Sequence, residues 1–124
     1  MTNPILTPRT ALEQCIILWT EIAERDVTRV HAKRELAEEL FSYSPLYSCP
    51  CCEYAHQQEG SYEADMCNYC LIDEWRGLPR GCLDDQTSYA RWCDALNPID
   101  AKAGALAVAQ LARDSLSKLE DSNE

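Results

Sequence analysis

The chain has 124 residues, eight of them cysteines, and carries 11 Lys and Arg against 21 Asp and Glu for a formal net charge of −10. This length supports a single domain, expected over residues 1–124, and is too short for two independent cores. The charge repels phosphate backbones, which sets DNA and RNA aside as main ligands, and no apolar run approaches the roughly 20 residues that span a bilayer, so a soluble protein is expected.

Thr10-Ala11-Leu12-Glu13 has the form of a capping box, and Leu12, Cys15, Ile16, Trp19, Ile22 and Ala23 follow it at helical spacing. Pro8 suits either the approach to this helix or an earlier first turn capped by Thr7. Asp26 is expected to cap a second helix, with Val27, Val30, Ala37, Leu40 and Phe41 as its apolar stripe. Lys33, Arg34, Glu35, Glu38 and Glu39 form its wet face. The two helices are expected to make an antiparallel hairpin over residues 8–41. Cys15, in the middle of an apolar face, reads as a small core residue.

The zinc-binding middle is expected over residues 42–95. From Ser42 to Ser48 the helical pattern breaks, and Tyr43, Pro45 and Tyr47 lead into Cys49-Pro50-Cys51-Cys52, which is followed by Cys67-Asn68-Tyr69-Cys70. Two Cys-x-x-Cys knuckles at this separation can gather four thiolates around one tetrahedral zinc ion. Six of the eight cysteines lie between Cys49 and Cys82, and there is no basic leader with an apolar core and a cleavage site. A reducing cytoplasm is therefore expected, where paired knuckles are metal ligands more often than disulfides. The simplest ligand set is Cys49, Cys52, Cys67 and Cys70, with 14 residues between the knuckles. Cys51 and Cys82 are alternates, although adjacent cysteines such as Cys51 and Cys52 rarely both reach one ion. The expected cofactor is one structural Zn2+ per chain.

Glu53 to Gln58 has the composition of a short helix that Gly60 can stop, and the second knuckle can start a turn of helix toward Trp75. Gly77, Pro79 and Gly81 mark a loop, and another short helix fits Thr87 to Ala95, with Tyr89, Trp92 and Cys93 on or near its inner face. Asn97-Pro98-Ile99-Asp100 is a strong helix start. The helix it opens is expected to span 97–119, leaving 120–124 as a frayed tail. Ala101, Ala105, Val108, Ala112, Leu116 and Leu119 recur along it, with Leu106 and Leu111 widening the apolar surface. That face either packs on the first two helices or makes a homodimer. Strand signals are weak throughout. The expected fold is all-α or nearly so: a small helical domain with a zinc-stapled central segment of loops and short helices.

Cys49-Pro50-Cys51-Cys52-Glu53-Tyr54, then Cys67-Asn68-Tyr69-Cys70, Trp75, Gly81-Cys82 and Tyr89-Ala90-Arg91-Trp92 together cover about a third of the chain. In this order they resemble a group of small bacteriophage proteins with a Cys-Pro-x-Cys-Glu-Tyr motif, a second Cys-x-x-Cys and a later Tyr-x-x-Trp. That group usually has Pro after the second knuckle, where this chain has Leu71. The resemblance implies a zinc-binding accessory protein of an infected bacterial cytoplasm and brings no activity with it.

A zinc hydrolase needs an open coordination position and a general base, and a deaminase needs a His-x-Glu that neither His31 nor His56 supplies. A Cys51–His56 nucleophile and base would rest on sequence proximity alone. An enzyme is not expected. The leading expectation is an interaction module that binds a host protein, such as an antiphage-defence factor, through loop aromatics Tyr43, Tyr47 and Tyr62 and acidic rim groups. A sponge for a nucleotide signal, held by aromatics with Arg76, Arg80 or Arg91, is the alternative. A nucleic-acid-binding zinc protein ranks below both because of the charge.

Overall fold

The computed structural model describes residues 5–43, 50–59, 72 and 87–122, and gives the backbone alone at 30, 52, 55, 56, 58, 59, 121 and 122. Every element among them is a helix: α1 (Pro8–Glu24), α2 (Val30–Phe41), α3 (Pro50–Glu59), α4 (Ser88–Asp94) and α5 (Pro98–Ser122). The all-α fold is as expected, and no helix among the described residues is long and apolar enough to cross a membrane.

Helix α1 takes the earlier of the two starts open to it. The Thr7 hydroxyl accepts from the Thr10 N–H at 3.1 Å, which satisfies a donor that the helix itself leaves unpaired, and Pro8 fills the first turn, where its missing N–H costs nothing. At the other end Asp26 stands in the left-handed region with φ 55°. Its N–H reaches the Ala23 carbonyl at 3.4 Å, and the Val27 N–H reaches Ile22 at 3.0 Å. This is the Schellman arrangement that closes a helix by tying off its last carbonyls. Asp26 therefore ends α1 rather than capping α2, which corrects the sequence expectation. Helix α2 starts at Val30 after Arg29, with no side-chain cap.

The buried face of α2 also differs from the expected one. Arg34, Glu35, Glu38 and Glu39 are exposed, but Lys33 is completely buried. Lys33, Leu36, Ala37 and Leu40 fall at i, i+3, i+4 and i+7, so the lysine occupies the first position of the apolar stripe.

At the start of α5, Asn97 caps through its Oδ1, which accepts from the Asp100 N–H at 2.9 Å, while its amide donates to the Asp100 carboxylate at 3.1 Å. The helix runs to Ser122, past the expected end at Leu119, and Glu120 pairs with Arg9 at 2.8 Å instead of fraying. That pair, with Arg113 donating to the Thr20 hydroxyl at 3.3 Å, sets α1 and α5 antiparallel. Ala101, Ala105, Val108, Ala109 and Ala112 are buried along α5, and these small side chains let the axes approach closely. The partners of this face are α1 and α4, not α1 and α2. Helix α2 touches α1 less extensively than α5 does, so the principal helix pair is formed by the two ends of the chain rather than by an 8–41 hairpin.

Helix α4 is a seven-residue element capped by Thr87, whose hydroxyl accepts from the Ala90 N–H at 3.0 Å. It seats Tyr89 and Trp92 against Trp19 of α1, edge to face, with ring centroids 5.7 and 5.1 Å away. Such edge contacts are the favoured geometry of aromatic pairs and add to the area they bury. The Trp92 indole N–H is satisfied by the Val27 carbonyl at 3.0 Å. Cys93, expected on or near the inner face, is exposed on α4.

Candidate metal centre

Of the expected ligands, Cys49, Cys67, Cys70 and the alternate Cys82 lie outside the described residues, as do Tyr47, Tyr62, Trp75, Arg76 and Arg80. What the structure does describe is the chain from Pro50 onward in the first knuckle and Ile72 just after the second. Helix α3 opens at Pro50, inside the first Cys-x-x-Cys and three residues before the expected start at Glu53. Cys52 thus belongs to the first turn of α3.

Cys51, the alternate ligand of the first knuckle, is fully buried. Its sulfur lies 2.9 Å from that of Cys15 in α1. Ile72, two residues after the second knuckle, is 1% exposed and belongs to the same core cluster as Cys51, Cys15 and Trp19. Each knuckle therefore adjoins a residue anchored in one shared core. The sequence holds no periodic signal for either anchor: Cys51 sits in a motif that suggests metal, and Ile72 follows Leu71 in a pair of aliphatics that leads into Asp73 and Glu74.

The acidic residue of the Cys-Pro-x-Cys-Glu-Tyr motif has a structural task. Glu53 is only 5% exposed, and its carboxylate accepts from the Gln57 amide at 2.9 Å. The Gln57 carbonyl oxygen in turn accepts from the Leu6 N–H at 2.9 Å, which ties the chain entering α1 to the outer turn of α3. Leu6 itself is buried. The relay holds α3 in place, so the backbone that carries Pro50, Cys51 and Cys52 has a fixed position against α1.

The Tyr-x-x-Trp motif also has its place in the core. Tyr89 and Trp92, one turn apart on α4, close over Trp19, and the Lys33 ammonium lies 5.2 Å from the Trp19 ring and 4.9 Å from the Tyr89 ring. These are cation–π distances, and rings that surround an ammonium in this way offset part of its lost hydration. Tyr43, expected as a loop contact for a partner, is half-buried and donates its hydroxyl to the Gln14 side-chain carbonyl at 2.6 Å. Its ring stands beside Phe41, with centroids 6.3 Å apart. Arg91 is exposed on α4.

Among the described residues no cluster of three or more His, Cys, Asp or Glu side chains is assembled as a metal site. Comparison with protein-family models, with curated proteins and with solved structures gives no match to this chain.

Proposed function

We propose that this chain is a small acidic accessory protein of the bacteriophage type, working in the cytoplasm of an infected bacterium. In this reading Cys49, Cys52, Cys67 and Cys70 hold one structural zinc ion, and the protein acts by binding a host protein. The observation that carries the zinc half is the anchoring of both knuckles: Cys51 within the first and Ile72 just after the second are buried in one hydrophobic core. Where a buried residue already holds the chain beside each ligand pair, less entropy is left to lose when a metal closes, so binding energy passes into folding energy.

The partner-binding half draws on charge. Glu35, Glu38 and Glu39 stand exposed along α2 on a chain of net charge −10, which suits a basic surface and speeds its encounter. The zinc ion would supply rigidity and no chemistry.

The test starts with protein purified without added metal. Native mass spectrometry should find one zinc per chain, and Cys67→Ser should lose the metal and much of its thermal stability. Cys67→Ser that keeps its zinc and its full melting temperature would sink the assignment. For the partner, host proteins retained on the immobilised chain at low salt should be released by the triple reversal Glu35→Lys, Glu38→Lys and Glu39→Lys. Equal retention by both forms would remove the acidic face from the interaction.

A further inference from the structure

We propose that Cys15 and Cys51 form a buried dithiol that closes to a disulfide joining α1 to α3. The proposal does not depend on the zinc reading. Its first support is geometric: the two sulfurs are 2.9 Å apart, well inside ordinary contact between thiols that share no proton. A disulfide bond is about 2.05 Å long, so less than about 1 Å of approach separates the pair from bonding distance. The second support is the rigidity of the frame. Cys15 sits mid-helix with Leu12, Leu18 and Trp19 buried around it, and Cys51 is held in the first turn of α3 by the Glu53–Gln57–Leu6 relay. Both cysteines are almost completely excluded from solvent, at 2% and 0% exposure, and each has the other's sulfur within contact.

The oxidant we assign is hydrogen peroxide, small enough to enter when α3 opens locally from α1. One thiolate attacks a peroxide oxygen, the O–O bond breaks, and a sulfenic acid forms with loss of water. The second thiolate then attacks the sulfenic sulfur and expels a second water as the S–S bond forms. Two thiols have lost two electrons and two protons, and one peroxide has become two waters. The neighbouring sulfur intercepts the sulfenic acid before a second peroxide does, so the pair resists irreversible oxidation. The bond would close a span of 36 residues and hold the helix that carries the first knuckle against α1.

The full chain, as purified with whatever metal it holds, is reduced, exchanged free of reductant and treated with stoichiometric hydrogen peroxide. It is then alkylated, digested and sequenced by tandem mass spectrometry across Cys49, Cys51 and Cys52. The expected result is a mass loss of about 2 Da, a cross-linked peptide pair joining Cys15 to Cys51, and a rise of about 10 °C in melting temperature that dithiothreitol reverses. Cys15→Ala should abolish the rise while keeping its metal content. Recovery of Cys15 and Cys51 as alkylated thiols from protein in which exposed Cys93 is already oxidised would overturn the proposal. So would a bond from Cys51 to any other cysteine, or loss of metal from Cys15→Ala, which would make Cys15 a ligand. The mapping on the unmutated chain decides the matter even where Cys15→Ala fails to fold. An untreated protein without zinc would speak only against the metal reading.

Discussion

Burying a lysine ammonium costs several kcal/mol unless its surroundings replace water, and at Lys33 the π faces of Trp19 and Tyr89 contribute to that replacement. The long aliphatic stem also fills space beside Leu36 and Ala37 on the core face of α2. Truncation should remove both contributions and leave a cavity. Lys33→Ala is expected to destabilise the fold by about 3 kcal/mol, read as a lower urea midpoint with an unchanged slope. A change below about 0.5 kcal/mol would mean that the side chain makes no net contribution where it lies. The position was legible from spacing, since Lys33 stands one turn before Leu36 and Ala37. The residue type pointed the other way, because an isolated lysine is nearly always solvated and only the meeting of α1, α2 and α4 supplies the rings.

At the scale of the element, two short-range features govern how the helices end and meet. A Cβ placed on Gly104 would lie 2.9 Å from the Trp92 backbone nitrogen and 3.0 Å from its Cα, so α4 rests directly on the glycine of α5. Alanine is the better helix former by about 1 kcal/mol, but the overlap is with backbone and can be relieved only by moving α4. Gly104→Ala should therefore lower the melting temperature by about 5 °C, measured by circular dichroism, despite its favourable propensity. A rise would show that propensity outweighs the contact.

The opposite sign is expected where α1 ends. Asp26 holds φ 55° in the Schellman turn, a conformation in which an L side chain is strained and glycine is not. Asp26→Gly should raise stability by about 0.5–1 kcal/mol in the same denaturation assay, and a loss would mean that the Asp26 side chain stabilises the turn. Helix starts at Thr87 and Asn97 were readable because caps are local chemistry, whereas that of α1 was left open between Thr7 and Thr10. The Schellman turn was not readable, because an aspartate before a helical stripe looks the same whether it opens the next helix or closes the last one.

Across the whole molecule, charge opposes compactness. The ion pairs Arg9–Glu120, Arg25–Glu21 and Arg25–Glu39 all lie at the surface. Hydrogen bonds to Glu39 and then Glu21 push the Arg25 guanidinium even further above its already high range, so its charge does not change at any working pH. Exposed pairs of this kind contribute little. The net charge of −10 acts everywhere at once, and its self-repulsion is relieved by counterions. Raising sodium chloride from about 20 to about 300 mM should therefore lift the melting temperature by a few degrees. A fall would show that the surface pairs outweigh the excess of acidic groups.

The helical class, the caps of α4 and α5 and the small-residue face of α5 were legible in the chain alone, because each is written in residues within a turn or two of one another. It also set out the knuckle spacing on which the zinc proposal stands. Only the tertiary structure decided that α1 pairs chiefly with α5, that Lys33 lies against rings from two other helices, and that Cys51 meets Cys15. Each of these joins residues far apart in the chain, 36 residues in the case of the thiols. Spacing along the chain reports which residues share a helix face, whereas the partner of that face is selected by how all the faces fit together at once.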